Sequence, residues 1–268
     1  MRDSPSQRDF VYKGMVKMTK IIITGCSGKM GASLMNAAAS RDDIEIVGGI
    51  DLVEPKNADF EYAKSFSELK CEADVIVDFS NPVVLDSMLA YAVEKRVPVV
   101  ICTTGYSEEQ KKKIFEASKE IAIFYSGNMS LGINLIIELS KKAAAVFGEG
   151  FDIEIVEQHH NQKLDAPSGT ALMIADAISE VKTDSEYVYD RHAYRKKRDK
   201  KEIGIHSIRG GNIVGEHEVI FAGQDEVLTI SHSARSKTVF AVGALNAAVY
   251  MKDKKAGMYN MSDLLKNS

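Results

Sequence analysis

The chain has no tryptophan, and only three cysteines and five prolines among 268 residues. Cys26, Cys71 and Cys102 are odd in number and far apart, which excludes a disulfide framework and any cysteine-based metal spacing; a reducing cytoplasm is the expected compartment. No apolar run approaches the roughly 18 residues of a membrane span, so no membrane partner is expected. Residues 1–17 lack the apolar centre of a signal peptide and are expected to be a disordered extension ahead of Met18. A formal net charge of -4 gives no general attraction to polyanions. Arg191 to Lys201 carries seven Lys or Arg against one Asp, but no aromatic platform interleaves with it. A solvated surface loop is expected there, and nucleic acid is not an expected partner.

What the chain does have is a repeating order of strands and helices. Lys20–Thr24 is a short β-branched run, the pattern of a strand buried on both faces. A glycine turn and a helix to about Ser40 follow, then a strand over 44–50. Further strands are predicted at 74–79, 97–101 and 121–125. Helices start at Ser80-Asn81-Pro82 and at the Ser107-Glu108-Glu109-Gln110 capping box. This alternation predicts a doubly wound parallel sheet of Rossmann-like α/β type. After Asn128 the rhythm changes. One long helix is predicted over 131–147, a strand at 151–155, a helix from Ser168 to about Val181, and three successive strands over 203–208, 213–221 and 226–233. Strands without intervening helices imply an inserted α+β domain with a mixed or antiparallel sheet. A helix over 236–251 returns the chain to the first domain. The expected division is 18–129 with 236–268 for a dinucleotide, and 130–235 for a substrate and for assembly.

Two stretches carry chemistry. The first is the turn Gly25-Cys26-Ser27-Gly28-Lys29-Met30-Gly31, spaced G-x-x-G-x-x-G between a strand and a helix. A dinucleotide pyrophosphate needs backbone N–H groups at close range and a helix N-terminus aimed at it, so side chains must be absent there. Asp51 stands twenty residues beyond Gly31, at the end of the next strand, where an acid accepts from ribose hydroxyls. The second stretch runs from Glu157 to Thr170 and reads E-Q-H-H-N-Q-K-L-D-A-P-S-G-T. It sets two histidines and Lys163 beside a turn, stiffened by Pro167, whose Ser168, Gly169 and Thr170 can present amides and hydroxyls to a carboxylate. A reductase needs a proton donor as well as a hydride, and imidazole titrates in the useful range. His206, His217 and His232 lie on predicted strands and are read as structural or surface residues. No His/Cys cluster has metal-ligand spacing, and His159 and His160 are too close to be a pair of zinc ligands, so no metal is expected.

These two stretches, with C-T-T-G at 102–105 and I-R-G-G-N-I-V-G-E-H at 208–217, resemble the 4-hydroxy-tetrahydrodipicolinate reductase family from Met18 to the C-terminus. The resemblance implies NAD(P)H-dependent reduction of a cyclic imine dicarboxylate precursor to tetrahydrodipicolinate, with loss of water, in lysine and diaminopimelate biosynthesis. It implies His159 as proton donor and Lys163 as the second catalytic residue. His160, Ser168, Gly169, Thr170 and a basic residue at Lys237 then bind the substrate, with Arg235 as the competing candidate for that last place. Gly25, Cys26, Ser27, Gly28, Lys29, Met30, Asp51, Cys102, Thr103, Thr104, Ser126, Gly127, Asn128 and Met129 fall at cofactor positions. It also implies a homotetramer joined through the substrate domain. The chain departs from the family pattern at Cys102, where the family has Gly, and at Leu52, where it has a basic residue. Other two-domain nicotinamide dehydrogenases acting on amino-acid-like carboxylates need no His-His before a Lys and a P-S-G-T turn. A non-catalytic NAD sensor would not need His159 or Lys163.

Asp51 followed by Leu52 suits two ribose hydroxyls and repels a 2′-phosphate, with Lys56 the nearest compensating cation in sequence. NADH should therefore be used at least as efficiently as NADPH. The two kcat/KM values measure this, and a tenfold preference for NADPH would refute it.

Overall fold

The structure, a computed structural model, describes residues 18–56 and 58–266; the expected extension over 1–17 lies outside them. The chain order is β1 (Thr19–Thr24), α1 (Lys29–Ala38), β2 (Ile44–Ile50), β3 (Glu61–Ala63), β4 (Val75–Asp78), α2 (Leu85–Lys95), β5 (Val99–Ile101), α3 (Glu108–Ala117), β6 (Ala122–Tyr125) and α4 (Leu131–Phe147). It continues with β7 (Asp152–His159), α5 (Gly169–Ser179), β8 (Glu186–Val188), β9 (Glu202–Arg209), β10 (Gly215–Ala222), β11 (Val227–Ala234), α6 (Thr238–Met251), β12 (Gly257–Tyr259) and α7 (Met261–Lys266).

The first sheet is parallel throughout, in the order β12-β6-β5-β4-β1-β2-β3. Its interior strand β1 explains the continuous apolar run: Ile21, Ile22 and Ile23 are all buried, because helices cover both faces. Ile21 and Ile23 pack with α1 and α6, while Ile22 packs with α2 and the underside of β5. The chain runs outward from β1 to β2 and β3 on one side, and through β4, β5 and β6 on the other. The strand order therefore reverses between β1 and β4, and a crevice opens at their carboxyl ends, the usual ligand site of such sheets. The three-residue strands β3, β8 and β12 were not expected from the sequence. Their pairing is set by neighbouring strands, since so short a run carries no periodicity of its own.

The second sheet is mixed, in the order β11-β10-β7-β9-β8. Strands β7, β8 and β9 are parallel, and β10 runs antiparallel to β7 and β11. One face is covered by α4 and α5, with Ile153, Ile155, Ile205, Val219 and Phe221 packed against Ile133, Ile136 and Ile174. Period-two alternation then puts Glu157 and His159 on this covered face, in line with Ile153 and Ile155.

On the opposite face the basic segment is the exposed surface loop expected from the sequence, and part of it is also ion-paired. Arg191 and Arg198 reach Glu154, Arg191 and Lys196 reach the fully buried Glu202, and Arg198 also pairs with Asp152. Burial pushes the Glu202 carboxyl up, but Arg191 and Lys196 outweigh it and hold the group down to about 2. Glycine at 204 leaves the room: a Cβ there would lie 1.7 Å from Glu154 Oε2.

Polar contacts at the start of α4 and close packing by α6 hold the chain where it passes from the first sheet to the second. The Asn134 amide donates to the carbonyls of Asn128 and Ser130, both at 2.8 Å, and Ser130 caps α4 by accepting from the Ile133 N–H. Helix α6 presses on the same crossing: a Cβ at Gly243 would lie 1.7 Å from the Met129 carbonyl oxygen.

Candidate active site

The glycine turn closes the carboxyl end of β1. Gly25 has φ +79°, and a Cβ there would lie 2.4 Å from the Phe79 carbonyl oxygen, so the turn comes hard against the end of β4. A Cβ at Gly31 would lie 2.4 Å from the Gly25 carbonyl oxygen and 2.5 Å from that of Cys26, which lets α1 start directly beneath the turn. Ser27, Gly28 and Lys29 are exposed at the N-terminus of α1, where the first N–H groups have no intrahelical acceptor. Asp51 binds the turn to β2 by accepting from the Ser27 N–H at 2.9 Å and from the Leu52 N–H at 2.7 Å. A cavity of about 440 Å³ opens here, lined among others by Gly25, Gly28, Asp51, Leu52, Ser80 and Asn81. Cys26 is the exception in this stretch: its side chain is buried in the core against Gly49, so it can offer a ligand only backbone atoms.

A second cavity of about 460 Å³ shares Phe79 and Ser80 with the first. Here the structure gathers Lys29, Met30, Cys102, Thr103, Thr104, Ser126, Gly127, Asn128, Met129 and Lys237 from four separate stretches of sequence. Thr103 is buried and accepts from the Ser80 N–H at 2.9 Å, which ties the loop after β5 to the loop after β4. Lys237 lines this cavity and Arg235 does not. The two adjoining cavities form a long crevice with a side-chain-free turn and an acid at one end. That cradle fits a dinucleotide.

The histidine stretch forms a separate cluster on the second sheet. His159 ends β7, half-exposed His160 follows it, and Lys163 lies in the loop, its ammonium 2.9 Å from Asp165. Ser168 caps α5 by accepting from the Ala171 N–H at 3.2 Å. Its own N–H donates to Glu157 and its hydroxyl meets His217 Nε2 at 3.1 Å. Ser168 is 2% exposed and fully engaged inside the protein, so the outward-facing donors of this turn belong to Gly169 and Thr170. The cluster meets the crevice at one hydrogen bond, from the Asn128 amide to the Thr170 hydroxyl at 3.0 Å.

Three residues of this cluster had no role in the sequence reading. Glu157, with 0% exposure, receives His159 Nδ1 at 2.6 Å, the Ser168 N–H at 3.0 Å and both guanidinium nitrogens of Arg209 at 2.7 and 2.8 Å. Arg209 stands opposite His159 in the β7–β9 register, and His217 stands opposite Glu157 in the β7–β10 register. His217, read as structural or surface, is buried with its ring edge-on to His159 at 5.3 Å. The usable signal was a glutamate placed in phase with two buried isoleucines.

Electrostatics follow from this packing. Burial pushes the Glu157 carboxyl up, but hydrogen bonds from Arg209, Ser207, His159 and Ser168 outweigh it and bring it down to about 2. His159 is lowered from its ordinary value, chiefly by burial, and Glu157 opposes that shift. His217 is brought down to about 4, chiefly by burial and then by the nearby His159.

Comparison with known proteins yields the following matches. Family models described as dihydrodipicolinate reductase, N-terminus and C-terminus, match residues 19–129 and 132–265. The 4-hydroxy-tetrahydrodipicolinate reductase of Caldanaerobacter subterraneus subsp. tengcongensis is 54% identical over 253 residues, covering 93% of this chain and 99% of that protein. The protein of the same name from Clostridium novyi is 49% identical over 251 residues, again covering 93% and 99%. Among solved structures, a dipicolinate-bound dihydrodipicolinate reductase from a Paenisporosarcina species shares the fold, with a TM-score of 0.77 at 24% identity, covering 91% of this chain and 97% of that one.

The depressed value of His217 has a consequence for stability. As pH falls below about 6.5 the unfolded chain takes up this proton first, while the folded protein resists it down to about 4, so stability is lost across that window. His217→Gln keeps a partner for Ser168 and does not titrate. Urea midpoints measured from neutral pH downward should fall less steeply in the variant than in the wild type. A residual slope remains, because burial also lowers His159 and His232. Equal slopes would refute the assignment.

Proposed function

The chain belongs to the dihydrodipicolinate reductase family, and on that premise we propose how its two sites divide the reaction. The reaction is the reduction of 4-hydroxy-tetrahydrodipicolinate to tetrahydrodipicolinate, with loss of water, in lysine and diaminopimelate biosynthesis. A bound reduced nicotinamide nucleotide supplies the hydride. Residues 18–129 with 236–268 hold the nucleotide and 130–235 the substrate, a reading supported by the return of α6 and β12 to the first sheet.

In this reading the N–H groups that open α1 at Lys29 and Met30 meet the pyrophosphate, with Ser27 and Gly28 shaping the turn through their bonds to Asp51 and the Gly25 carbonyl. Asp51 meets the ribose, and the loops at 102–104 and 126–129 line the nicotinamide end. NADH is the nucleotide preferred or used equally, since Leu52 leaves Asp51 without a basic neighbour in sequence. Gly169, Thr170, His160 and Lys163 hold the carboxylates of the cyclic substrate, with Lys237 approaching from the crevice. Ser168 shapes the turn from inside. His159 moves the proton at Nε2, because Nδ1 is taken by Glu157. The observation that carries the reading is the Asn128–Thr170 hydrogen bond, which joins the nucleotide crevice to the substrate turn. Three unpaired thiols suit a cytoplasmic enzyme.

The assembly we propose is a homotetramer formed through the second sheet. Leu228 on β11 and Leu139 and Val146 on α4 are exposed and line a groove with Phe147 and Ile230, and the exposed Val227 stands next to Leu228 on the same strand. An apolar patch of this kind on an edge strand suits a copy of the same chain. Light scattering at micromolar concentration should give about four times 29.5 kDa; a monomer mass would refute it.

The catalytic assignment is tested by a coupled assay with aspartate semialdehyde, pyruvate and the upstream synthase, following NADH loss. A general acid contributes about 10²–10⁴-fold, so His159→Ala should lower kcat by that order with little change in NADH affinity. Lys163→Ala should lower kcat and raise KM for the substrate, and His160→Ala should mainly raise KM. A near wild-type kcat for His159→Ala with loss in His160→Ala would move the donor to His160.

A further inference from the structure

We propose that Glu157 is a positioning residue for the proton donor: it accepts the Nδ1–H of His159, fixes the tautomer and aim of the ring, and leaves Nε2 as the atom that exchanges a proton with substrate. This rests on the reading of His159 as the acid and assigns a residue that acts through it.

The geometry starts from the strand. Positions 157 and 159 are two apart on β7 and share its covered face, so the carboxylate and imidazole lie side by side at 2.6 Å. The carboxylate cannot turn away. Arg209 grips both oxygens through a two-pronged contact, and the Ser168 N–H holds Oε1 at 3.0 Å. Every neighbour of this carboxylate is a donor, so it can only accept from the imidazole. Nδ1 must then carry hydrogen whether the ring is neutral or charged. The far side of the ring is kept clear: a Cβ at residue 215 would lie 3.1 Å from His159 Nε2, and glycine stands there.

The charge of Glu157 matters beyond its shape. The groups around the ring are Arg209 from β9, His217 from β10, and Lys163 with its partner Asp165 from the loop. Burial, Arg209 and Lys163 all disfavour an imidazolium at this place. Glu157 is the buried anion in direct contact with the ring, and it offsets them. It also joins donor and substrate turn through one group, since the Ser168 N–H it holds sits at the start of α5.

Glu157→Gln keeps the size of the side chain, removes the charge and turns one oxygen into a donor. Either orientation sets that NH₂ against Arg209, the Ser168 N–H or Nδ1. In the coupled assay kcat should fall on the order of 10²-fold, within the range a general acid supplies. The basic limb of the kcat–pH profile should move to lower pH, while substrate KM and NADH affinity stay within about twofold. In a His159→Ala background the same substitution should cost little further, because the residue acts through the missing ring. Nitrogen-15 spectra of wild-type protein, assigned by loss of the signal in His159→Ala, should show neutral His159 as the Nδ1–H tautomer. That measurement decides the matter even if Glu157→Gln fails to fold. A wild-type kcat and pH limb in Glu157→Gln, an equal loss in both backgrounds, or an Nε2–H tautomer would each overturn the proposal. Near wild-type kcat in His159→Ala would remove the proton-donor reading itself, and the proposal with it.

Discussion

A carboxylate shut away from water is costly unless donors surround it, and the second half of this protein is arranged around one such group. Glu157 has no exposure and four donor contacts, which come from β7 itself, β9 and the start of α5. Removing one partner of a buried ion pair typically costs about 3–5 kcal/mol, because the other charge is left unpaired. The same contacts that meet this cost fix where β9 and α5 sit relative to β7. The group is structural and electrostatic at once, and it lies directly beneath the histidine that the family resemblance singles out.

The first half depends on a different constraint, the absence of side chains where backbones must meet. Gly25 lets the turn after β1 reach the end of β4, Gly31 lets α1 start under that turn, and Gly243 lets α6 press on the chain at Met129. Each would bring a Cβ within 2.5 Å of a backbone oxygen. Together they bring the ends of β1, β4, β5 and β6 into one crevice. The two constraints meet at Asn128, whose amide reaches Thr170 while its carbonyl accepts from Asn134 at the start of α4.

The second sheet also carries charge on its outer face, and there the logic repeats. Glu202 is as buried as Glu157 and is likewise held by cations, here Arg191 and Lys196. Glu154 collects Arg191, Arg198 and His206. The run of basic residues that could be mistaken for a polyanion site is largely the counter-charge for carboxylates already in the fold. Composition alone could not separate these cases: Glu202 adjoins the basic run, but Asp152 and Glu154 lie some way back along the chain and meet it only through the fold.

Local order determined most of the elements. The β-branched run at Ile21–Ile23, the capping box at Ser107–Gln110 and the long apolar helix at 131–147 each carry their structure in adjacent residues, because backbone sterics and capping act over a few positions. The glycine turn and the histidine stretch were legible for the same reason: the chemistry of each is contiguous. What lay beyond reach was pairing between distant strands. Nothing near Glu157 in sequence announces Arg209 or His217, and only the registers of β7 with β9 and β10 bring them together. The engaged state of Ser168, the turn of Cys26 into the core and the short edge strands β3, β8 and β12 were decided in the same way. Each depends on which surface the tertiary packing presents, and that surface is built from residues far away along the chain.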